Sequence, residues 1–188
     1  MIKVAVFASG SGSNAENLIR YFHNHPEVEI AAIYTNNPDA FVLKRTEPHG
    51  IPGRIISKNS MSDGSLLKEL SENGISLVVL AGFLKLVPAV FINGFPGQII
   101  NLHPSLLPKY GGKGMHGMHV HEAVIAAGEK CSGITIHHVN DHYDEGTIID
   151  QFVVELQPNE SPESLSQKIH ELEMKNLPMI VEKLALGR

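Results

Sequence analysis

The sequence has 188 residues, 43% of them hydrophobic, which suits one globular domain with a substantial buried core. Its formal net charge of -5 gives no reason to expect nucleic acid as a partner, because phosphate backbones bind clustered Lys and Arg. Cys131 is the only cysteine, so no intrachain disulfide can form and a reducing cytoplasm is expected. The apolar stretch Met1–Ala8 is too short for a membrane span and predicts a first strand, with no membrane partner.

Short apolar runs alternate along the chain with segments that are compatible with helix. Most of the runs are continuous, which is typical of strands covered on both faces. The alternation predicts an α/β fold with a doubly wound, mostly parallel sheet and a Rossmann-like N-terminal half. The predicted strands are Val4–Ala8, Ile30–Tyr34, Leu77–Ala81, Ile99–Leu102, Gly133–His137 and Ile148–Glu155, and the predicted helices are Ala15–His23, Phe41–Glu47, Leu66–Asn73 and His119–Ala127.

A polar turn at residues 157–162 precedes a long amphipathic stretch, which predicts a closing helix packed on the sheet. No repeat or linker divides the chain. We therefore expect a single domain over residues 1–188, with a nucleotide-binding first half and a catalytic second half. The candidate core positions of the closing helix are Leu165, Ile169, Leu172, Ile180 and Leu184.

A glycine-rich turn, Ser9–Asn14, follows the first predicted strand and leads into a helix. Free amides at a helix N-terminus, together with the helix dipole, favour an anion such as phosphate. With Ala15 in the last place the turn also fits a dinucleotide fingerprint, but Tyr34–Asn37 offers no acidic residue for a cofactor ribose. A monophosphate site is the favoured interpretation. A tight turn in which Asn14 caps the helix is the alternative.

Asn101 and His103 lie two residues apart near the end of the fourth predicted strand, so they share one face. Ligands of open α/β sheets bind at that edge. An asparagine can donate a hydrogen bond to a developing oxyanion, and a histidine can move protons near neutral pH, which suits acyl transfer. The pair could also simply satisfy backbone groups at a strand end and a proline turn.

Four motifs occur in order along nearly the whole chain: Gly10–Asn14, Leu80–Leu84, Asn101–Lys109 and Asp141–Gly146. Together they resemble the folate-dependent glycinamide ribonucleotide formyltransferases. The resemblance implies the formyltransferase fold and transfer of formyl from 10-formyltetrahydrofolate to the amine of 5'-phosphoribosylglycinamide. The products would be formylglycinamide ribonucleotide and tetrahydrofolate, in de novo purine biosynthesis, with no metal.

The resemblance also implies roles for individual residues. Asn101 would hold the formyl oxygen, His103 would act as general acid, and Asp144 would complete the triad. A carboxylate near His103 is expected to raise the pKa of the imidazole and keep it cationic. The implied substrate-binding residues are Gly12, Ser13, Asn14 and Glu173, and the implied folate-binding residues are Leu84, Lys85, Leu86, Val87, Asn101, Asp141 and Asp144.

The chain departs from the family pattern in two places. It has no arginine between Arg54 and Arg188, so Lys58 or Lys85 would have to hold the folate carboxylates. The loop Lys109–Met118 is unusually rich in glycine, which predicts a mobile flap over the substrate.

Three rival functions stay open at this point. A formyltetrahydrofolate hydrolase would use the same triad, and a phosphoribosyl-binding module would need only the glycine turn. A metallohydrolase would draw on clustered histidines, although no familiar zinc spacing occurs. The sequence does not decide between monomer and homodimer. The histidines of the metal hypothesis are His116, His119, His121, His137, His138 and His142.

Overall fold

A computed structural model describes all residues of the chain, Met1–Arg188, and contains one seven-stranded sheet. The strands are β1 (Ile2–Phe7), β2 (Val28–Thr35), β3 (Gly53–Ile55), β4 (Ile75–Leu80), β5 (Gln98–His103), β6 (Cys131–His138) and β7 (Ile148–Glu155). Their order is β3-β2-β1-β4-β5-β6-β7. Neighbours from β3 to β5 pair in parallel, whereas β6 and β7 pair antiparallel. The predicted mostly parallel, doubly wound sheet is confirmed.

Six α-helices cover the two faces of this sheet. They are α1 (Ser13–Tyr21), α2 (Val42–Thr46), α3 (Ser65–Glu72), α4 (Ala89–Gly94), α5 (Met118–Ala126) and α6 (Pro162–Leu186). The predicted closing helix α6 begins at Ser161, whose side chain accepts a hydrogen bond from the Ser164 amide, and ends at Gly187 in the left-handed conformation. No helix has the length and apolar character needed to cross a membrane.

Alternate side chains of the inner strands enter two separate hydrophobic cores. On β1, Val4 and Val6 face the core that contains residues of α1, α5 and α6, while Ala5 and Phe7 face the core that contains residues of α3 and α4. Each fully buried aliphatic or aromatic side chain contributes roughly 1.5–3 kcal/mol. Burial on both faces explains why these strands read as continuous apolar runs.

The structure differs from the sequence prediction at three short elements. Strand β3 and helix α4 were not predicted, because β3 has three exposed residues and α4 has only six. The third element is a 3-10 turn, Glu47–His49, which follows the end of α2. Pro48 lies at the start of this turn, where a missing amide donor costs nothing, and the turn ends at Gly50 with a φ of 67°.

The predicted bounds of the other elements differ from the observed ones by a few residues at most. Strand β7 lies at the edge of the sheet and is half-exposed along its length, unlike the buried inner strands. Strands β1 and β4 are neighbours although the chain passes through β2 and β3 between them. Their carboxyl ends therefore flank a topological switch point, where open α/β sheets bind ligands.

Candidate active site

A cleft of about 650 Å³ opens at the carboxyl ends of β1, β4 and β5. One end, which we call the glycine-turn end, consists of Gly10–Asn14, His121, His170 and Glu173. The other, the strand-end cluster, consists of Asn101, His103 and Asp144 in the cleft wall and of His137, which contacts Asn101 outside the cleft lining. Most of the predicted site residues line this cleft, which joins the two ends in one continuous space. The predicted cleft-lining residues are Gly12, Ser13, Asn14, Leu84, Asn101, His103, Asp144 and Glu173.

At the glycine-turn end, helix α1 begins without a side-chain cap. Gly12 is the N-cap residue with a φ of 74°, and no side chain makes a capping hydrogen bond. A Cβ atom at Gly12 would overlap Val42, so both the φ angle and the space require glycine. The first amides of α1 are therefore free of side-chain caps and line the cleft, as an anion site requires.

The side chain of Asn14 contacts α6 instead of capping α1. Its Nδ2 donates to Oε2 of Glu173 at 2.9 Å, and Nδ1 of His170 lies 3.6 Å from the same oxygen. The hydrogen bond to Glu173 raises the pKa of His170 above its usual value, although burial partly opposes this shift. One carboxylate oxygen thus holds an amide and an imidazole side by side in the cleft wall.

Two buried polar atoms at this end have no hydrogen-bond partner. They are Oδ1 of Asn14 and Nδ1 of His121, a residue that is 4% exposed. Burial lowers the pKa of His121, so the ring is neutral near pH 7. Unsatisfied buried polar groups are costly and are concentrated where function requires them.

The strand-end cluster is positioned by pairing between β5, β6 and the loop that precedes β7. Asn101 is directly opposite His137 in the antiparallel ladder, so their side chains share one face of the sheet. Oδ1 of Asp144 lies 3.5 Å from Nδ1 of His103 and 3.7 Å from Nε2 of His137. Asp144 itself adopts a φ of 59°, and its Oδ2 accepts the Gly112 amide at 2.9 Å.

The hydrogen bonds of the cluster fix the protons on both imidazoles. His103 Nε2 lies 2.8 Å from the backbone oxygen of Tyr110, which can only accept, so this nitrogen carries a proton and Nδ1 faces Asp144. His137 Nδ1 likewise donates to the backbone oxygen of His138 at 2.9 Å. Its Nε2 therefore accepts from Nδ2 of Asn101 at 3.0 Å, and the same amide donates to Asp144 at 3.2 Å.

The expectation that the pKa of His103 is raised is wrong. Burial lowers the pKa of His103 below its usual value, because the side chain is almost fully enclosed, and the nearby Asp144 charge does not offset this penalty. His103 is therefore neutral near pH 7 instead of cationic. Burial also tends to raise the pKa of Asp144, but the neighbouring His137 and His103 imidazoles and the hydrogen bond from the Gly112 amide lower it overall, so the carboxylate is ionised.

Four predicted folate-site residues do not line the cleft. Lys85 and Leu86 are exposed next to it, and Val87, at 3% exposure, has its side chain in the hydrophobic core. Asp141 is exposed and lies 3.0 Å from the His142 imidazole. Any contact of Val87 with a ligand would therefore use its backbone.

Three histidines of the two ends received no catalytic or substrate-binding role from the sequence. His121 and His170 line the cleft, and His137 contacts Asn101 outside the cleft lining. His137 and His121 were considered only as metal ligands, and His170 was not considered. A signal for His137 exists in β6, where Thr135 and His137 alternate with Ile134 and Ile136 and so put polar groups on one face. His121 and His170 lie on helices and reach the cleft only through tertiary packing.

The histidines of the metal hypothesis do not converge. No group of three or more His, Cys, Asp or Glu side chains is arranged to hold a metal ion. His116 and His119 lie close to each other, with ring centroids 5.8 Å apart, while His137 is committed to the strand-end cluster. The loop Lys109–Met118 supplies part of the cleft wall, and its mobility stays a prediction.

Known proteins match this chain over the full sheet. Residues 2–181 match the formyl transferase family. The chain is 33% identical to the phosphoribosylglycinamide formyltransferase of Bacillus subtilis, covering 98% of this chain and 95% of that protein. It is 37% identical to the chloroplastic enzyme of that name from Arabidopsis thaliana, with 89% of this chain aligned, and it spans only 60% of that plant relative. The solved structure of the Coxiella burnetii phosphoribosylglycinamide formyltransferase superimposes with a TM-score of 0.89 at 35% identity, covering 100% of this chain and 88% of that one.

The cluster of Asn101, His103 and Asp144 lies at the carboxyl end of β5, one strand from the switch point between β1 and β4. The chain belongs to the formyl transferase family, and its relatives of similar length are phosphoribosylglycinamide formyltransferases. The family membership predicted from the motifs is therefore confirmed. Membership also implies a folate-type formyl donor.

Proposed function

We propose that this enzyme transfers formyl from 10-formyltetrahydrofolate to the amine of 5'-phosphoribosylglycinamide, a step of de novo purine biosynthesis. The observation that carries the proposal is the single cleft that joins the glycine-turn end to the strand-end cluster. A phosphate held at one end leaves the rest of a small substrate to extend toward the other. The names of the full-length relatives support the same reaction.

The phosphorylated substrate binds at the glycine-turn end in this proposal. The free amides of Gly12, Ser13 and Asn14 receive the phosphate, since they stand at the positive end of the α1 dipole. Glu173, held by Asn14, accepts a hydrogen bond from a ribose hydroxyl. The glycinamide amine then points along the cleft toward Asn101 and His103.

The residues next to the cleft fit an aromatic folate ring. Leu84 and Leu86 are 49% and 43% exposed although both are large and apolar, so a flat ring laid against them would bury hydrophobic surface. Backbone groups of Lys85 and Val87 are available to read the ring edge, with Asp141 on the opposite loop. Lys58 and Lys85 are both exposed, and we assign them the folate carboxylates.

The strand-end cluster carries out the chemistry. The amine attacks the formyl carbon, and Nδ1 of the neutral His103, steadied by Asp144, takes the proton that the amine loses. Asn101 exchanges its 3.2 Å bond to Asp144 for the formyl oxygen as negative charge develops there. When the bond from carbon to the folate nitrogen breaks, His103 returns its proton to that nitrogen, so no net proton is consumed.

His137 supports this step without meeting substrate. It accepts a hydrogen bond from Asn101 and thereby fixes the orientation of the amide. We further propose that residues 1–188 act as one domain, since one sheet carries both ends of the cleft, and that the enzyme works in the cytoplasm, where the lone Cys131 needs no partner.

The test is product formation by the purified, metal-stripped protein supplied with 10-formyltetrahydrofolate, with and without 5'-phosphoribosylglycinamide. Formation of tetrahydrofolate that requires the amine, with one formylated amine produced per turnover, is the expected result. Turnover that does not depend on the amine would reveal a hydrolase. Binding of the phosphorylated amine without turnover would reveal a binding module.

A further inference from the structure

Three polar side chains stand in one row across the antiparallel part of the sheet. His103 on β5 is directly opposite Thr135 on β6, and Thr135 is directly opposite Gln151 on β7. Directly opposed residues present their side chains on the same face. The row therefore runs from the strand-end cluster to the edge of the sheet, although Thr135 and Gln151 do not line the cleft.

The hydroxyl of Thr135 makes every hydrogen bond that a hydroxyl can make. It donates to the backbone oxygen of Ser105 at 2.7 Å, and it accepts from the Leu107 amide at 3.0 Å and from Nε2 of Gln151 at 2.9 Å. Gln151 Nε2 also donates to the backbone oxygen of Leu107 at 3.0 Å. Thr135 is fully buried, so water cannot replace these bonds.

These hydrogen bonds fix the loop of residues 105–110, which leads from Ser105 back to the side chain of His103. Beyond Leu107 the chain turns, and the hydroxyl of the fully buried Ser105 donates to the backbone oxygen of Lys109 at 2.7 Å. The next backbone oxygen, that of Tyr110, accepts the Nε2 proton of His103 at 2.8 Å. Tyr110 adopts a φ of 57°, in the left-handed region that is costly for a residue other than glycine, so the surrounding loop must hold it in this conformation.

We infer that Thr135 and Gln151 are positioning residues for His103, which hold the 105–110 loop so that the Tyr110 oxygen keeps a proton on Nε2 and reserves Nδ1 for proton transfer. The catalytic consequence rests on the proposed function. The effect on the imidazole tautomer does not, since it follows from the hydrogen bonds of the protein alone.

The physical reason lies in the two tautomers of a neutral imidazole. If the Tyr110 oxygen moves away, Nε2 loses its hydrogen-bond acceptor. The tautomer with the proton on Nδ1 then becomes the more stable one, because the ionised Asp144 is 3.5 Å away. His103 in that tautomer has no free Nδ1 lone pair to accept the amine proton. A change at Gln151, two strands away from His103, therefore removes the base without removing any group that touches substrate.

The test uses Thr135→Val, which keeps the shape and removes the hydroxyl, Thr135→Ser, which keeps the hydroxyl, and Gln151→Met, at a partly exposed position. Nitrogen NMR of the His103 ring reports the tautomer, with the signals assigned by their loss in His103→Gln. We expect Thr135→Val and Gln151→Met to shift the proton toward Nδ1 and to lower kcat by up to about 100-fold, as a displacement of about 1 Å can. In both variants, KM for each substrate should stay as in the wild type. Thr135→Ser should keep the wild-type tautomer and the wild-type kcat.

Thr147→Val, an exposed substitution just before β7, is the matched control and should change neither reading. If Thr135→Val does not fold, Gln151→Met decides the question alone, because its side chain lies on the edge strand. Unchanged ring-nitrogen signals and unchanged kcat in a folded Gln151→Met or Thr135→Val protein would overturn the inference. Absence of formyl transfer by the wild-type enzyme would instead overturn the proposed function, and the NMR reading would still test the tautomer.

Discussion

The two ends of the cleft are built in opposite ways. The strand-end cluster is largely satisfied, since three of the four ring nitrogens of His103 and His137 have hydrogen-bond partners, and Asp144 accepts from Gly112 and Asn101. The glycine-turn end is incomplete, with uncapped helix amides and two buried polar atoms without partners. A site that is complete on its own is preorganised for chemistry, whereas one with unmet hydrogen bonds is completed by its ligand.

The largest expected effect of this contrast is at His103. His103→Gln keeps a polar side chain and removes the base, so kcat should fall by about 10²- to 10⁴-fold, the usual contribution of general acid–base catalysis, with KM little changed. Steady-state kinetics with both substrates measure this. His119→Gln changes an exposed histidine outside the cleft and serves as control. A His103→Gln enzyme with wild-type kcat would remove the imidazole from the mechanism.

Asp144→Asn should lower kcat by about 10²-fold, the lower limit for a proton-transfer group. It should also move the pH profile. Burial already lowers the pKa of His103, and Asp144 opposes that shift, so losing the carboxylate lowers this pKa further. Because the base must be neutral, activity is lost as pH falls through the His103 pKa, and this acid limb should lie at lower pH in Asp144→Asn. An acid limb that moves to higher pH would contradict the assignment.

Asn14→Ala should act on the other end, by raising KM for the phosphorylated amine and leaving kcat nearly unchanged. Loss of a hydrogen bond to a charged group costs about 1.5–3 kcal/mol, or roughly 10- to 100-fold in affinity. Asn17→Ala is the matched control, since Asn17 also joins α1 to α6, through the Met174 backbone oxygen, but lies outside the cleft. Because the side chain acts through Glu173 on the ribose, the dephosphorylated amine should show the same loss. An unchanged KM for both amines would mean that Asn14 only joins the two helices.

The smallest predicted effect is a pH dependence at His170. The hydrogen bond to Glu173 raises the pKa of His170, so the ring is cationic below that raised pKa and loses its charge as pH rises through it. We expect the cationic His170 ring, which lines this end of the cleft, to attract the substrate phosphate, so KM for the phosphorylated amine should rise with pH. His170→Gln should have the higher KM throughout, and His170→Lys should keep the lower one, because lysine stays charged over this range. Identical KM profiles in all three proteins would exclude the phosphate as the partner of His170.

The sequence was sufficient for the sheet but not for all of its elements. Continuous apolar runs such as Ile75–Leu80 identify buried parallel strands, because both faces are covered. Gly53–Ile55 has no such pattern, since pairing with β2 alone holds it in place. Glycine at position 12 marked the turn correctly, because the φ angle and the proximity of Val42 allow no side chain there.

At the site, the sequence could identify residues that share a strand but not the balance of forces on them. Asn101 and His103 were paired by their spacing in β5, and the structure brings Asp144 to 3.5 Å from His103. The predicted charge of His103 was wrong, because burial lowers its pKa more than the neighbouring carboxylate raises it, and burial depends on the whole fold. His121 and His170 lie on α5 and α6, and only the packing of those helices brings them to the glycine turn.

The central claim is that the strand-end cluster performs the chemistry and the glycine-turn end binds the phosphorylated amine. It is tested most directly by measuring kcat and KM of His103→Gln, Asn14→Ala and the double variant, for the phosphorylated amine with 10-formyltetrahydrofolate. We predict that His103→Gln lowers kcat alone, that Asn14→Ala raises KM alone, and that the double variant combines both effects independently. A fall in kcat for Asn14→Ala as large as that for His103→Gln would contradict the account, because it would make the cleft a single catalytic unit.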